Sequence, residues 1–194
     1  MRYTSGVTEF AAVVLAGGRA RRFGGADKVD LEVEGSSLLQ RTLSAVTVAD
    51  PVVVVGPQRP VGSSVRWTRE EPPGSGPLAG LRAGLAELPE QVRFAAVLAA
   101  DHPYLSAATV ARLLRAAEES EAAGAVLADS GGALQWLVGV WRVERLRAAM
   151  PDGAEDSAVR GVLGPLEPVS VPASGAEASD VDTPEDWERL RGPA

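Results

Sequence analysis

Short continuous apolar runs alternate with helical-period stripes along most of this chain. Phe10–Ala16 is the first run and reads as a buried strand. After a Gly/Arg-rich segment, Val29-Asp30-Leu31-Glu32-Val33 alternates apolar and polar, which predicts a short half-exposed strand turned by Glu34-Gly35. Ser36 or Ser37 then caps a helix carrying Leu38, Leu39, Leu43 and Val46. Val52–Val55 and Val65–Thr68 are the next strands, the first bounded by Pro51 and by Gly56-Pro57. Pro77 suits the first turn of a helix over Pro77–Leu88, whose Leu78, Leu81, Leu85 and Leu88 form one stripe. Phe94–Ala100 is a further apolar strand. Ser106 caps a helix over Ala107–Ala123, with Val110, Leu113, Leu114 and Ala117 inward and Gly124 at its end.

The pattern continues with strands at Ala125–Ala128 and Ala133–Trp141 around a turn at Asp129–Gly132. Helices follow at Arg142–Met150 and Glu155–Leu163, then a strand at Glu167–Val171. Thr183-Pro184-Glu185-Asp186 reads as a cap, a Pro at the first helical position and acids near the positive helix end. Trp187 and Leu190 dock this last helix, and Arg189 and Arg191 suit its other end. Alternating strands and helices over about the first 130 residues predict a three-layer α/β fold with a largely parallel sheet. Such sheets bind ligands beyond the carboxyl ends of their strands. Three chemistry-bearing segments fall at that edge: the Gly/Arg loop, Glu70-Glu71, and Asp101-His102.

Composition narrows what those segments can do. The 194 residues fit one domain, and neither a linker nor an internal repeat divides them. The net charge of −7 argues against nucleic acid and anionic membrane as partners. With no cysteine and one histidine, thiolate zinc sites, iron–sulfur clusters, a Cys nucleophile and multi-histidine metal sites are excluded. Any metal is then held by carboxylates and ligand oxygens, which points to Mg²⁺, with Mn²⁺ as the alternative. Apolar runs of about seven residues fall far short of the roughly 20 needed to span a bilayer. The polar Met1–Glu9 leads straight into a strand and does not read as a secretory signal, so a cytoplasmic enzyme is expected.

The loop from Gly17-Gly18 through Arg19, Arg21, Arg22 and Gly24-Gly25 ends at Lys28, the only lysine of the chain. Glycines and positive charge together predict a nest of backbone N–H groups for phosphate oxygens; the other reading is a solvated surface loop. The loop is not a Walker A motif, and the chain holds no Gly-x-Gly-x-x-Gly fingerprint. Asp101 ends an apolar strand and is placed to hold a divalent metal over a nucleotide's phosphates, or else to make a turn without a ligand. His102 reads as a packing or hydrogen-bonding residue before a catalytic one. A carboxylate at Glu70 or Glu71 can accept both N1–H and N2–H₂ of guanine; two solvated acids are the alternative. Trp136 is in phase with Leu134, Val138 and Val140 and reads as core. Trp141 falls on the opposite face and is the freer residue for stacking on a flat substrate.

The segment Leu15–Lys28, LAGGRARRFGGADK, resembles the signature of the MobA-like nucleotidyltransferases, most closely the molybdenum cofactor guanylyltransferases. Phe23 stands where that signature has Met. The resemblance continues in Gly76-Pro77-Leu78-Ala79-Gly80, in Asp101-x-Pro103-Tyr104-Leu105, and in Asp180-Val181-Asp182-Thr183-Pro184-Glu185-Asp186. These blocks run in order over nearly the whole chain, and they imply a single Rossmann-like domain of the GT-A type over 1–194. They further imply transfer of GMP from GTP to the terminal phosphate of the molybdopterin cofactor, with release of pyrophosphate. Carried over by position, Leu15, Ala16, Gly17 and Gly18 would offer backbone contacts to the nucleotide. Lys28 would bind phosphate, assisted by Arg19 and Arg22. Glu70 would sit where the family has an Asp contacting the nucleotide, and Asp101 would bind Mg²⁺ and nucleotide. Cofactor-biosynthesis or acceptor enzymes would be transient partners. The acids at Asp180 and Asp182 look more like the related cytidylyltransferases, which leaves a cytidylyltransferase, a guanylyltransferase for another phosphorylated small molecule, or a non-catalytic nucleotide-binding module as alternatives.

Overall fold

Residues Ala11–Leu15 form an inner strand, β1, and the run is apolar because both of its faces are covered. The computed structural model describes residues 9–17, 27–151 and 158–191. The remaining strands are β2 (Glu32–Val33), β3 (Ser36–Ser37), β4 (Val52–Val55), β5 (Arg66–Thr68), β6 (Phe94–Ala99), β7 (Gly124–Ala128), β8 (Leu134–Arg142) and β9 (Val169–Pro172). The helices are α1 (Leu38–Ser44), α2 (Pro77–Ala86), α3 (Ala107–Glu119), α4 (Val143–Ala149), α5 (Val159–Leu163) and α6 (Pro184–Arg191).

Seven strands make one sheet in the order β5-β4-β1-β6-β8-β7-β9. Only β8 runs antiparallel to its neighbours, so the sheet is mostly parallel and the fold is a three-layer, Rossmann-like α/β fold. One face carries α1 and α3, with Leu39, Leu43, Val110 and Leu113 packed on Ala12, Val14, Val54 and Leu98. The other carries α2, α4 and α5, with Leu78, Leu81, Leu146 and Leu163 packed on Ala11, Val13, Val53 and Val97. The alternation along β1 therefore sends successive residues into different cores. Among the described residues no helix is long and apolar enough to cross a membrane.

Caps behave as their residue types dictate. Ser37 and Gln40 form a capping box at the start of α1, and Ser106 and Thr109 form one at the start of α3. At α6 the Thr183 hydroxyl accepts from the Asp186 N–H at 3.2 Å while Asp186 accepts from the Thr183 N–H at 2.8 Å.

Helix α2 lies unusually close to the sheet. A Cβ at Gly84 would fall 2.4 Å from Val13 Cγ1 and 3.0 Å from Val55 Cγ2. Neither β-branched side chain can swing away inside the core. Gly84→Ala is therefore expected to cost roughly 1–3 kcal/mol of stability by overpacking, despite alanine's better helix propensity. A urea titration checks it, and an unchanged or raised midpoint would show that the helix can move off the sheet.

Several expectations need correction. The segment Val29–Val33 is not one strand. Lys28–Asp30 is a 3-10 turn, and β2 pairs with β3 in a two-stranded ribbon outside the main sheet. Both edges of β1 are already taken by β4 and β6, and the apolar side chains Leu31 and Val33 pack instead on Val181, Trp187 and Leu190. Gly124 does not end α3, which stops at Glu119; it opens β7. Arg142 belongs to β8, where its guanidinium donates to the carbonyls of Ala117, Ser120 and Ala122 and satisfies the end of α3. The helix expected over Glu155–Leu163 appears as α5; residues 152–157 lie outside the described residues, as does the side chain of Arg191.

Trp141 is not free to stack on a substrate, because it is wholly buried. Both sheet faces carry helices, so the face opposite one core is simply the other core. A bulge in β8, across from Val126 and Leu127, also shifts the phase of Trp136. Trp136 packs with Trp141 on the α2 side, whereas Val138 and Val140 face α1 and α3.

Candidate functional site

The carboxyl ends of β1, β4, β5 and β6 open into one cleft of about 590 Å³. Chain order reverses here: the strands run from β1 out to β4 and β5 on one side, then return to β6 on the other. Crevices at such reversals are the ligand sites of open α/β sheets. Leu15, Gly17, Lys28, Glu70 and Asp101 all line this cleft, as do Arg69 and Asp182. Its floor demands a glycine at 56, since a Cβ there would lie 2.8 Å from the Ala16 carbonyl oxygen and 3.1 Å from the Gly17 nitrogen.

Not every expected residue is placed alike. Ala16 is buried, and its N–H donates to the Val55 carbonyl at 2.8 Å. The Leu15 carbonyl accepts from the Ala100 N–H at 3.0 Å, so both groups are committed to holding strand ends together. Gly18, Arg19, Arg21 and Arg22 lie outside the described residues. Glu70 lines the cleft, with Oε1 accepting from the Gly74 N–H at 2.8 Å, whereas Glu71 is exposed and does not line it.

Lys28 and Asp101 meet at the centre. The 3-10 turn is closed by the Asp30 N–H on the Asp27 carbonyl at 2.9 Å, and it presents Lys28 toward the end of β6. The Lys28 Nζ donates to Asp101 Oδ2 at 2.8 Å and equally, at 2.8 Å, to Asp182 Oδ1. The second oxygen of Asp101 accepts from His102 Nδ1 at 2.9 Å. His102 is buried, and among the described residues its Nε2 has no partner; facing a carboxylate oxygen, its Nδ1 carries a proton, and the ring serves Asp101 as a hydrogen-bond donor.

Electrostatics keep this group ionised. Burial pushes the Asp101 carboxyl up, but the hydrogen bond and electrostatic pull of His102 and the Lys28 ammonium outweigh it and hold the group well below the usual carboxylate range. Burial likewise pulls Lys28 down, and Asp101 and Asp182 more than restore it, leaving its pKa raised. Asp180 moves the other way: partial desolvation, then the charges of Asp182 and Asp101, raise it.

Among the described residues, Asp101, Asp180 and Asp182 offer carboxylate oxygens that all lie within 4.8 Å of one another. Hard oxygen donors at this spacing suit Mg²⁺ or Mn²⁺. An ammonium already bridges two of the three, so the cluster fits a cation.

Sequence reasoning singled out Lys28 and Asp101 but not Asp182, which lies 154 positions from Lys28. Its signal is the block Asp180–Asp186, where the resemblance marks Asp180 and Asp182 as cytidylyltransferase-like acids without a site role. Another missed feature is Arg59. It donates to Asp27 at 2.7 Å and stands 3.5 Å from Asp30, so it grips both flanks of the turn bearing Lys28.

Comparison with known proteins identifies the family. A MobA-like NTP transferase domain is matched over residues 12–169. The chain is 37% identical over 155 residues to a molybdenum cofactor guanylyltransferase from a Bradyrhizobium species, covering 74% of this chain and 71% of that protein. It is 35% identical over 151 residues to a "Probable molybdenum cofactor guanylyltransferase" from Opitutus terrae, covering 75% and 73%. Among solved structures it is similar to molybdopterin-guanine dinucleotide biosynthesis protein A from Archaeoglobus fulgidus, with a TM-score of 0.72 at 18% identity over 94% of this chain and 97% of that one. A similar fold occurs in Rv0371C of Mycobacterium tuberculosis in complex with manganese, with a TM-score of 0.73 at 20% identity over 96% and 99%. The chain therefore belongs to the MobA-like NTP transferase family and is a nucleotidyltransferase.

Proposed function

We propose that this protein transfers GMP from GTP to the terminal phosphate of the molybdopterin cofactor and releases pyrophosphate. The observation that carries the reading is the Lys28 ammonium held between Asp101 and Asp182 at the bottom of the cleft. The names of the relatives supply the nucleotide and the acceptor.

In this reading an oxygen of the acceptor phosphate attacks the α-phosphorus of GTP in line. A new P–O bond forms there while the bond to the bridging oxygen breaks, and pyrophosphate leaves with the electron pair. Such transfers need positioning and charge neutralisation more than covalent help. Asp101 and Asp182, with Asp180 beside them, would hold Mg²⁺ or Mn²⁺, which supplies positive charge to the phosphates when bound. Lys28 would move its charge from the carboxylates to the phosphate oxygens. His102 would keep Asp101 oriented through Oδ1. Glu70 would read the guanine edge, since it lines the cleft and Glu71 does not. Gly18, Arg19 and Arg22 enter through the family motif alone, as triphosphate contacts.

We also read the whole chain as one such domain. The domain match ends at residue 169, yet the following segment returns Asp182 to the cleft with Asp180 beside it. A cytoplasmic location and transient contact with cofactor-biosynthesis or acceptor enzymes belong to the same reading, and the net charge of −7 disfavours nucleic acid.

Thermal stability with added nucleotide and Mg²⁺ tests the choice of base. A ligand at about 100 times its Kd stabilises the folded state by about 2.7 kcal/mol. GTP is expected to raise the melting temperature and CTP to leave it unchanged. Stabilisation by CTP alone would favour a cytidylyltransferase, the reading to which the acidic pair Asp180 and Asp182 lends support.

A further inference from the structure

Beyond β9 the chain leaves the sheet edge and must cross back over β7 and β8 to reach the end of β6. The crossing is held at three places. The Ala173 N–H donates to the Ala128 carbonyl at 2.8 Å, where β7 ends. At the far end the Val181 N–H donates to the carbonyl of Asp101 itself, at 3.0 Å. Between them sits Glu177, a carboxylate with only 8% of its surface exposed.

All the capacity of Glu177 is used. Oε1 accepts from the Thr109 hydroxyl at 2.6 Å and from Arg112 Nη1 at 3.1 Å. Oε2 accepts from Arg112 Nη2 at 2.7 Å and from the Ser174 N–H at 2.8 Å. The Arg112 hydrogen bond, with Thr109 and Ser174 against the cost of burial, holds the carboxyl at about 2, so the pair is ionised at any working pH. Thr109 and Arg112 lie in the first turns of α3, and Thr109 is itself fixed by the capping box with Ser106. Helix α3 begins shortly after Asp101. The two chain segments that leave the carboxylate cluster are thus tied together a second time, at Glu177. Only residues 178–180 separate this tie from the Val181–Asp101 bond, so a shift at Glu177 is carried directly to Asp180.

We propose that Glu177 and Arg112 are a positioning pair that sets where Asp180 and Asp182 stand against Asp101 and Lys28. The proposal rests on the reading of those three aspartates as the metal-holding group. A buried ion pair is a weak source of net stability compared with apolar packing. What a bidentate Arg–carboxylate pair adds is geometric definition, and here the defined segment is the one that delivers two carboxylates to the cleft. Outer partners of metal-holding groups commonly control affinity in this way.

The test is Mn²⁺ binding to the full chain, read by electron paramagnetic resonance in the presence of α,β-methylene GTP. Glu177→Gln and Arg112→Met are each expected to weaken Mn²⁺ binding by about tenfold, the double variant by little more than either, and Arg112→Lys to recover part of the loss. The double variant leaves neither charge without its partner, so it should fold even if Arg112→Met, which strands the buried Glu177 carboxylate, does not. Leu146→Val, a buried change on the opposite face of the sheet, lowers stability without touching the crossing and should leave Mn²⁺ affinity unchanged. Wild-type affinity in the folded Arg112→Met protein would overturn the proposal, as would equal weakening by Leu146→Val. Asp101→Asn separates the two layers: if it binds Mn²⁺ as tightly as wild type, the metal reading fails and the positioning role falls with it. If Asp101→Asn loses Mn²⁺ while Arg112→Met keeps it, the positioning role alone fails.

Discussion

Asp101→Asn is expected to lower nucleotidyl transfer by about 10²–10³-fold or more while the protein stays folded, the scale seen when one preorganised charge-stabilising group is removed from an active site. Asp101 is where the cleft's interactions converge: Lys28 on one oxygen, His102 on the other, and the returning segment on its backbone carbonyl. Asparagine keeps the side-chain shape and an acceptor oxygen but removes the charge. Folding should tolerate this, because Lys28 retains Asp182 and no buried cation is stranded. The measurement is kcat/KM with the melting temperature taken on the same preparation. Full activity in a folded variant would remove Asp101 from the mechanism.

Lys28→Met should separate two properties that usually fall together. Transfer is expected to drop by about 10²–10³-fold, because the charge that would meet the phosphates is gone. Mn²⁺ binding without nucleotide is expected to become tighter. In the structure the ammonium occupies the position between Asp101 and Asp182 that a metal would compete for. Removing a unit charge at about 4 Å relieves roughly 2–8 kcal/mol of repulsion toward an incoming divalent cation, between aqueous and near-surface dielectric. That corresponds to a gain of about tenfold or more in affinity. Nucleotide and metal are then expected to bind cooperatively to the wild type, since a triphosphate would draw Lys28 off the carboxylates. Weaker Mn²⁺ binding by Lys28→Met alone would show that the lysine supports the metal position and does not compete for it.

The parts of this molecule legible in its sequence are those set by local pattern. The apolar runs Phe10–Ala16, Val52–Val55 and Phe94–Ala100 announce central strands because both faces are buried. Ser37, Ser106 and Thr183 mark helix starts because their hydroxyls satisfy free N–H groups. The placement of Glu70 and Asp101 at strand ends follows from the alternation of elements.

What could not be read was set by chain return and by the second core. Asp182 stands just before a helix start in sequence, with nothing local to pair it with Lys28, and the crossing anchored at Glu177 brings the two together. Glu177 itself lies in a polar stretch, and no local feature distinguishes it from a solvated acid. Trp141 is buried where its phase suggests exposure, because one strand's alternation cannot tell solvent from a second apolar layer. The segment Leu31–Val33 alternates like a strand of the sheet, but the edges of β1 were already taken. Phase, too, is a local property that one bulge can reset, as it does between Trp136 and Val138.

The central claim is that the cleft around Lys28, Asp101 and Asp182 moves a GMP unit onto the phosphate of the molybdopterin cofactor. Pyrophosphate release measured with that cofactor, Mg²⁺ and either GTP or CTP tests it most directly. The account predicts release from GTP only, dependent on the acceptor and abolished by Asp101→Asn. Release from CTP only, or GTP binding with no turnover on any pterin acceptor, would contradict it.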